Sequence, residues 1–512
     1  KINTSYQRVT KLLPTFISNK IPSMLTRFGN LNYRGDLLLN SNEIQAKGYA
    51  VTGLGDADIN AQLRNYRNPK DLLYKGTLDA KNLNLFQLTQ AKEVGYVSGK
   101  LRFDGKGTDL KTINLNVDGT VRYMDLLGKR YQNITIDGLV KNYEFNGLFD
   151  IKDPNLNGQV EGKINFSGQP FNFDFKSSLR HINLDFIGLT KNLNATVKGD
   201  VIGNFKLTNI NDFTGDVDIK NLYFKSKKDT LSLEHIEIDS HLKGGNKTMS
   251  LNIPNYMQAT LDGRFNVTQI IDVVNNSLVD LIPSFKEKKV APNQSFKFDV
   301  FVQQNLLNYL DPSIQIEPDT QIKGFIDGNK NQLELTLETP GIKYGGLALF
   351  QSNLALNTLE DVPTINAKID SLKIGQITLN ELDINSIPKN DTLLLTTDFN
   401  IGKKNPILFN LNLFHTVQHK NDLIFGFSPS TIQIDSTQWT INHLNELNSN
   451  RMVFNRINKS LKVEDFTLES EAQYLKVSGM FNNKVDYNFN ADFKDLHLEK
   501  IIPKTFLNNL KL

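Results

Sequence analysis

Histidine side chains are the first place where spacing could indicate a metal or acid–base site. The chain has seven histidines, and His415 and His419 stand four residues apart in the segment LNLFHTVQHK. Apolar and polar residues alternate there, so we expect a strand, in which residues four apart share a face but lie ~13 Å from each other. That distance is too long for two ligands of one metal ion. We interpret both residues as structural, together with His235 and His241, and predict no metal site.

Catalytic motifs are the second signal of chemistry. The sequence contains no GxSxG, Walker, GxGxxG or HExxH motif. The acidic segment that begins at Asp56 departs from a calcium-binding loop, because Ala61 replaces the invariant glycine and Arg67 replaces the last glutamate. The absence of cysteine excludes disulfides and cysteine metal sites. We therefore predict neither an enzyme nor a bound cofactor.

The overall charge and hydropathy exclude two further classes of protein. The 58 Lys and Arg residues nearly balance 55 Asp and Glu residues, and a net charge of +3 does not indicate a nucleic-acid partner. No run of apolar residues is long enough for a membrane-spanning helix, which needs about 18 or more. The function must then depend on how the structural elements present their apolar residues.

The stretch from Tyr96 to Gly138 shows the pattern that dominates the chain. Apolar residues alternate with polar ones, as at Leu101 and Phe103, and this period of two predicts antiparallel strands with one apolar face. Glycine accepts the positive φ of a tight hairpin turn, so we expect turns at the three Asp-Gly pairs of the stretch. These pairs are Asp104-Gly105, Asp118-Gly119 and Asp137-Gly138.

The same pattern recurs along the chain. A second copy begins near Gly199 and a fainter third copy lies near Tyr344, which favours one repeated ribbon over separate domains. The matching positions are Gly99 with Gly199, Gly119 with Gly215, Ile134 and Ile136 with Ile236 and Ile238, Tyr123 with Tyr344, and Ile134 and Ile136 with Leu354 and Leu356.

Helical spacing interrupts the strands in two places. Residues 1–30 predict two amphipathic helices, broken near Pro14 and Pro22, whose basic side lies in solvent or contacts anionic headgroups. Residues 267–285 predict one helix of ~28 Å that lies across the ribbon as a plug or brace. Its apolar stripe comprises Ile270, Ile271, Val274, Leu278, Leu281 and Ile282. The predicted order is helices over 1–30, a β-ribbon over 31–266, the helix at 267–285, a second β-ribbon over 286–498, and the start of another helix over 499–512.

The chain combines Gly-x-Leu strand openings, the NLNLFQL and NLYF segments, the proline-broken helices and the pattern from Ser430 to Phe481. In this combination it resembles the AsmA-like superfamily, and within it the TamB family, whose members are inner-membrane components of the translocation and assembly module. The resemblance extends over essentially the whole chain. It implies a mainly β, elongated and repetitive antiparallel β-ribbon, U-shaped as a β-taco with a hydrophobic groove and interrupted by a few amphipathic helices.

The resemblance also implies a function for that groove. It implies an internal segment of a periplasmic conduit that moves phospholipid between the inner and outer membranes. The full-length protein would be anchored in the inner membrane through an N-terminal part missing here, and an Omp85-class outer-membrane barrel would meet another part of it. The residues expected to line the groove are the apolar ones of the alternating segments: Leu83, Leu85, Leu101, Phe103, Ile113, Leu115, Val117, Ile134, Ile136, Phe171, Phe173, Phe175, Ile182, Leu184, Phe186, Ile236, Ile238, Leu333, Leu335, Leu337, Leu354, Leu356, Phe425, Phe427, Ile432, Ile434, Leu475 and Val477.

Other functions fit the same pattern. The ribbon could act as a scaffold or chaperone for outer-membrane β-barrel proteins together with the Omp85-class partner, and Phe171, Phe173 and Phe175 could equally belong to a covered core. An outer-membrane barrel and a periplasmic solenoid adhesin are further alternatives, although the predicted helix at 267–285 counts against the barrel.

Overall fold

The computed structural model divides the chain into two compact units, Lys1–Ser240 (unit 1) and His241–Leu512 (unit 2). The structure describes residues 2–5, 27, 29–66, 68, 70–90, 92–107, 109–190, 193–227, 229–279, 287–311, 313–359, 363–389, 392–402, 405–418, 421–446, 448–471, 473–482 and 486–496.

Unit 1 is an antiparallel meander in which each strand pairs with the next one along the chain. The last strand begins in unit 1 and ends three residues beyond its boundary. The strands are β1 (Ile2–Ser5), β2 (Asn30–Leu39), β3 (Glu43–Thr52), β4 (Gly55–Arg64), β5 (Leu73–Asn84), β6 (Val94–Lys106), β7 (Asn114–Leu126), β8 (Lys129–Lys141), β9 (Glu144–Lys152), β10 (Leu156–Asn165), β11 (Phe171–Asn183), β12 (Thr196–Leu207), β13 (Thr214–Lys225) and β14 (Thr230–Lys243).

Unit 2 is also an antiparallel sheet, and it confirms the predicted mainly β, repetitive fold. Its strands are β15 (Asn246–Ile253), β16 (Met257–Arg264), β17 (Ser295–Val302), β18 (Ile314–Ile316), β19 (Thr320–Asp327), β20 (Gln332–Tyr344), β21 (Leu347–Asn357), β22 (Thr364–Ile374), β23 (Ile377–Lys389), β24 (Thr392–Ile401), β25 (Ile407–Gln418), β26 (Asp422–Phe427), β27 (Ser430–Ile434), β28 (Thr437–Ile441), β29 (Arg451–Asn455), β30 (Leu461–Ser470), β31 (Gln473–Asn482) and β32 (Asp486–Lys494).

Pairing in unit 2 departs from chain order at two places. The short strand β18 pairs with β20, while β17 pairs with β19. Farther along, β25 pairs with both β26 and β27, which start two branches. One branch continues from β26 to β29 and the other from β27 to β28, and both β29 and β28 pair with β30. The sheet therefore splits after β25 and closes again at β30.

The two faces of unit 1 differ in chemistry because residues that pair across an antiparallel ladder lie on the same face. Leu101 pairs with Leu78, and Phe103 pairs with Val117. Arg102, between them, points to the opposite face and forms an ion pair with an aspartate of β7 at 2.8 Å. The sheet thus has one apolar and one polar face.

The three Asp-Gly pairs lie inside β6, β7 and β8, so the prediction of hairpin turns at these positions is wrong. The turns lie at residues 109–112, 127–128 and 142–143 instead. The reason is visible at Gly119, which has a φ of 151° and where a Cβ would lie 2.8 Å from Leu101 Cα. Glycine is required here by the close approach of the neighbouring strand, not by a turn.

Short helices connect some of the strands. They are α1 (Leu85–Thr89), α2 (Leu184–Ile187), α3 (Ile270–Ser277) and α4 (Leu307–Leu310), with 3-10 turns at Ile210–Asp212 and Val267–Gln269. None of the helices in the described part of the chain is long and apolar enough to cross a membrane.

The predicted helix at 267–285 is shorter in the structure. A 3-10 turn leads into α3, which ends at Ser277, and residues 280–286 lie outside the described residues together with the predicted stripe members Leu281 and Ile282. Placing Ile271 in the buried stripe was wrong, because its side chain is 76% exposed, whereas Val273 is fully buried. The side of α3 that contacts the sheet is therefore narrower than the apolar stripe that the sequence predicts.

The predicted terminal helices fall mostly outside the described residues, which include neither 6–26 nor 499–512. Where the structure describes the N-terminal segment, it contradicts the prediction. Residues 2–5 form β1 and pair with β2 from Tyr33 to Asn30, because the ladder offers their backbone groups partners.

The repeat is visible in the connections of unit 1. Asn84 Oδ1 accepts a hydrogen bond from Gln87 N at 2.9 Å and caps α1, and Asn183 Oδ1 accepts one from Phe186 N at 3.1 Å and caps α2. A register shift precedes each cap, between residues 80 and 83 and between residues 179 and 182. The structure therefore repeats with a period of six strands, so that β11 is equivalent to β5.

Candidate functional site

The strongest candidate for a functional surface in unit 1 is the apolar side of its sheet, which we call the unit 1 apolar face. Register connects its residues strand by strand, since each paired residue continues the same row. Nine strand spacings of ~4.8 Å give a path of ~43 Å along the sheet. One complete row runs through Leu78, Leu101, Gly119, Ile136, Phe149, Val160, Ser177, Val201, Ile219 and Ile236.

Most of the predicted lining residues of unit 1 lie on this face. The second row contains Phe103, Val117, Phe175, Val217 and Ile238. The third row contains Leu115, Val140, Phe145, Phe173 and Phe205. Alternation predicted their side correctly because the ladder keeps its parity across many strands. Residues such as Phe205 and Ile219 were missed, although the same alternation marks them.

Aromatic rings concentrate in the part of the face that β11 to β13 contribute. Phe173 stacks on Phe205 with ring centroids 5.1 Å apart, and Phe175 meets the same ring edge-on at 5.8 Å. Phe213 completes the group, 5.3 Å from Phe205. Such contacts add to area burial and form a broad, rigid apolar surface.

Four predicted lining residues of unit 1 are not in strands. Leu85 belongs to α1, Leu184 and Phe186 belong to α2, and Ile113 lies in the connection before β7. The asparagine caps redirect the backbone from extended to helical at Leu85 and Leu184, which ends the alternation. Phe186 consequently packs edge-on against Tyr131, with centroids 5.6 Å apart.

The predicted residues of unit 2 also share one face. Leu335 pairs with Leu356 and Leu337 pairs with Leu354. The same registers connect the remaining predicted residues other than Ile434 to apolar or aromatic partners: Leu333 with Ile326, Phe427 with Leu413, Phe425 with His415, Ile432 with Phe409 and Trp439, Leu475 with Leu468, and Val477 with Phe466. Ile434 shares the side of Ile432 in β27.

Burial distinguishes parts of these faces. No predicted lining residue is among the exposed ones, and most are half-buried. Complete or nearly complete burial is confined to Ile134, Ile182, Leu184, Ile236, Leu333 and Leu356. Half-burial is what side chains obtain from neighbours on their own sheet face, so apolar surface is left for a further contact.

In unit 2, α3 covers part of the face. Val273 packs in one cluster with Phe296, Ile326, Leu333 and Leu356, and Ile270, Val274 and Leu278 contact the same cluster. The first half of the predicted helix therefore packs on this face, while its role as a plug or brace stays a prediction.

The polar face is organised by arginine–aspartate pairs. Arg102 Nε lies 2.8 Å from Asp118 Oδ1, and Arg130 Nε lies 2.7 Å from Asp125 Oδ1. Hydrogen bonds from these guanidinium groups lower the pKa of both aspartates below its ordinary value. The carboxylates stay ionised at neutral pH, which keeps this face in water.

Two of the histidines that the structure describes, His415 and His235, make structural contacts. His415 is buried, its ring stacks on Phe425 at 4.4 Å, and its Nδ1 lies 3.1 Å from Ile424 O. His235 Nε2 lies 2.5 Å from Asp218 Oδ1 on the polar face. His419 is outside the described residues, so its distance from His415 stays a prediction.

Comparison of the chain with protein-family models, with curated proteins and with solved structures found no match.

Proposed function

We propose that the chain is a conduit for phospholipid, whose acyl chains slide along the apolar sheet face. The observation that carries the proposal is the continuous row of paired residues from β5 to β14, which are apolar or glycine except for Ser177 and are mostly half-buried. A surface of this kind offers every acyl chain the same contacts at successive strands. It needs no catalytic group and no specific pocket.

The energetics favour such a surface. Exposing ~30 methylenes of one lipid to water costs about 24 kcal/mol at ~0.8 kcal/mol for each methylene. Contact with the apolar face removes most of that cost, while the headgroup stays hydrated beside the sheet. Because neighbouring positions are nearly equivalent, movement between them meets only a small barrier.

The proposal includes a cellular setting that rests on the family resemblance. We propose a periplasmic location, an inner-membrane anchor in the full-length protein and an Omp85-class barrel as a partner of another part of it. The U-shaped groove belongs to the same proposal.

Photocrosslinking tests where lipid lies. A photoreactive residue at Ile136 or Phe173 should crosslink to phospholipid, and native mass spectrometry should find phospholipid on the gently purified chain. The matched control positions are Thr135 and Asn172, which alternate to the other face. Lipid-free protein without crosslinks from Ile136 and Phe173 would refute the conduit.

Charge substitutions test transport itself. Ile136→Asp and Phe173→Arg should stop lipid transfer between vesicles while circular dichroism keeps its strand signal, because a charge interrupts the apolar row. Thr135→Asp and Asn172→Arg place the same charges on the polar face and should leave transfer unchanged. Equal loss of transfer in both sets would contradict a role for the apolar face.

A scaffold for outer-membrane β-barrel proteins is the second candidate. It is favoured by β32, where three aromatic side chains are exposed: Tyr487 by 76%, Phe489 by 45% and Phe493 by 63%. Exposed aromatic residues on a strand suit pairing with another strand. Crosslinks from these positions to nascent barrel proteins, together with no lipid at Ile136, would favour the scaffold over the conduit.

A further inference from the structure

The helix α3 lies on residues that the sequence predicts as groove lining. Its central residue, Val273, is fully buried in one cluster with Phe296, Ile326, Leu333 and Leu356. The last two belong to the predicted lining. In this conformation, the helix fills the space directly above the sheet. On the uncovered parts of the face, an acyl chain would occupy the corresponding space.

The segment that carries α3 is an insertion in a hairpin. The strands β16 and β17 pair continuously from Met257 with Val302 to Arg264 with Ser295, so residues 265–294 form the whole connection between them. A hairpin connection needs only ~2–5 residues. The ladder does not depend on α3, which can leave the sheet face while both strands stay paired.

The polar groups of the insertion bond largely to each other. Asn276 Nδ2 donates to Lys288 O and Lys288 N donates to Asn276 Oδ1, both at 2.8 Å. Lys288 Nζ lies 2.6 Å from Asp272 Oδ1, and Ala291 N donates to Gln269 Oε1 at 3.0 Å. These bonds can stay formed if α3 moves, while three other hydrogen bonds hold the C-terminal part of the insertion to the β19–β20 turn.

The contacts between α3 and the sheet are apolar. Ile270, Val274 and Leu278 pack against the cluster around Val273, and an acyl chain can replace them without leaving a buried donor or acceptor unpaired. Arg456 Nη2 adds a polar contact at the C-terminal end of the helix, where it donates to Val279 O at 3.0 Å.

We propose that α3 is a displaceable cover over an acyl-chain binding site made of Phe296, Ile326, Leu333 and Leu356, and that one lipid acyl chain competes with the helix for this site. The proposal rests on the proposed function and assigns a regulator to it. Occupancy of this part of unit 2 is then set by the balance between helix and acyl chain.

An engineered disulfide can lock the cover. The chain has no cysteine, and a Cβ at position 328 would lie 3.0 Å from Val273 Cγ1, the atom that a cysteine Sγ would replace. Val273→Cys combined with Gly328→Cys therefore places two thiols within reach of an S–S bond of ~2.05 Å. The two single variants report any strain from either substitution alone.

The full chain is incubated with phosphatidylcholine vesicles in which one acyl chain carries a diazirine, in oxidising or reducing buffer. After illumination, labelled peptides are identified by mass spectrometry. Labelling of β17–β21 should fall roughly tenfold or more when the disulfide closes, because the covered state is then the only one populated. Labelling of β11–β13 in unit 1 should not change.

The outcomes separate the two proposals. Equal labelling of β17–β21 in both buffers, or no labelling there while unit 1 is labelled, overturns the displaceable cover and leaves the conduit intact. Absence of label from unit 1 as well overturns the conduit.

A second pair of variants works in the opposite direction. Val273→Asp weakens docking of α3 and should raise labelling of β17–β21, whereas Ile271→Asp changes an exposed position of the same helix and should not. Equal labelling in the two variants overturns the proposal. If Val273→Asp fails to fold, the oxidised and reduced forms of the cysteine pair still give the answer.

Discussion

Glycine residues within strands show at the residue scale how the sheet is built. Gly119 lies on the unit 1 apolar face between Leu101 and Ile136. Its φ of 151° is unfavourable for other residues, and a Cβ there would lie 2.8 Å from Leu101 Cα. Glycine therefore lets two strands approach each other closely in the middle of the row, as at bends of other sheets.

We predict that Gly119→Ala lowers the free energy of unfolding by about 1–3 kcal/mol, because the backbone is strained and the neighbouring strand must shift. Urea denaturation followed by circular dichroism measures the change. Gly168→Ala is the matched control, since no atom lies within 4 Å of its Cβ position. A loss in the control as large as that of Gly119→Ala would show that close approach is not the cause.

The ion pair between Arg130 and Asp125 makes stability depend on pH. Arg130 Nε and Nη2 donate to the two carboxylate oxygens at 2.7 and 2.9 Å, and this hydrogen bonding lowers the pKa of Asp125 in the folded chain. The unfolded chain then binds the proton more readily than the folded one. The stabilisation is present above the unfolded pKa of ~3.9 and is lost as the pH falls through the lower pKa of the folded state.

We predict that Asp125→Asn destabilises the protein by at most about 1 kcal/mol at pH 7, because the arginine is half exposed and solvent screens the pair. The difference from the unsubstituted chain should shrink toward zero at acidic pH. Urea denaturation at several pH values provides the measurement, with exposed Asp104→Asn as the control for loss of one charge. A difference that grows as the pH falls would contradict the assigned sign.

At the scale of elements, the split between β25 and β30 depends on asparagine side chains. Asn442 Nδ2 donates to Phe427 O at 2.6 Å and to Glu446 O at 3.1 Å, and its Oδ1 accepts from Glu446 N at 2.8 Å. Asn450 Oδ1 accepts from Thr467 N at 2.7 Å. These side chains satisfy backbone groups that lose their ladder partners where the sheet divides.

We predict that Asn442→Ala costs about 2–4 kcal/mol, because three partly buried hydrogen bonds are lost at roughly 1 kcal/mol each. Asn445→Ala is the matched control. Both asparagines have a left-handed backbone, with φ of 51° and 55°, but Asn445 is exposed, so its substitution should cost only about 1 kcal/mol of backbone strain. Thermal and urea denaturation of the two variants compare them directly. Equal losses would mean that strain, not hydrogen bonding, determines the effect.

At the scale of the whole molecule, alternation predicted the fold class and the side on which residues such as Leu101, Phe103 and Leu335 lie. It could not locate the turns, because an Asp-Gly pair suits both a turn and a crowded strand position. It could not distinguish Ile271 from Val273, since helical periodicity gives a stripe but not the line along which a short helix touches its neighbour. The split after β25 depends on pairing between distant strands, which local pattern does not encode.

The meander also predicts how hydrogen exchange in unit 1 responds to a destabilising substitution. Each strand bonds only to its neighbours along the chain, so stability is close to a sum of local terms, as in repeat proteins. We therefore expect Gly119→Ala to speed amide hydrogen exchange mainly in β6, β7 and β8. Exchange in β2, β3, β12 and β13 should stay close to that of the unsubstituted chain. Mass spectrometry of peptic fragments resolves these segments, and Gly168→Ala again provides the control. Uniform acceleration across unit 1 would instead show that the sheet opens as one cooperative body, and a conduit of locally independent strands would then be the wrong physical description.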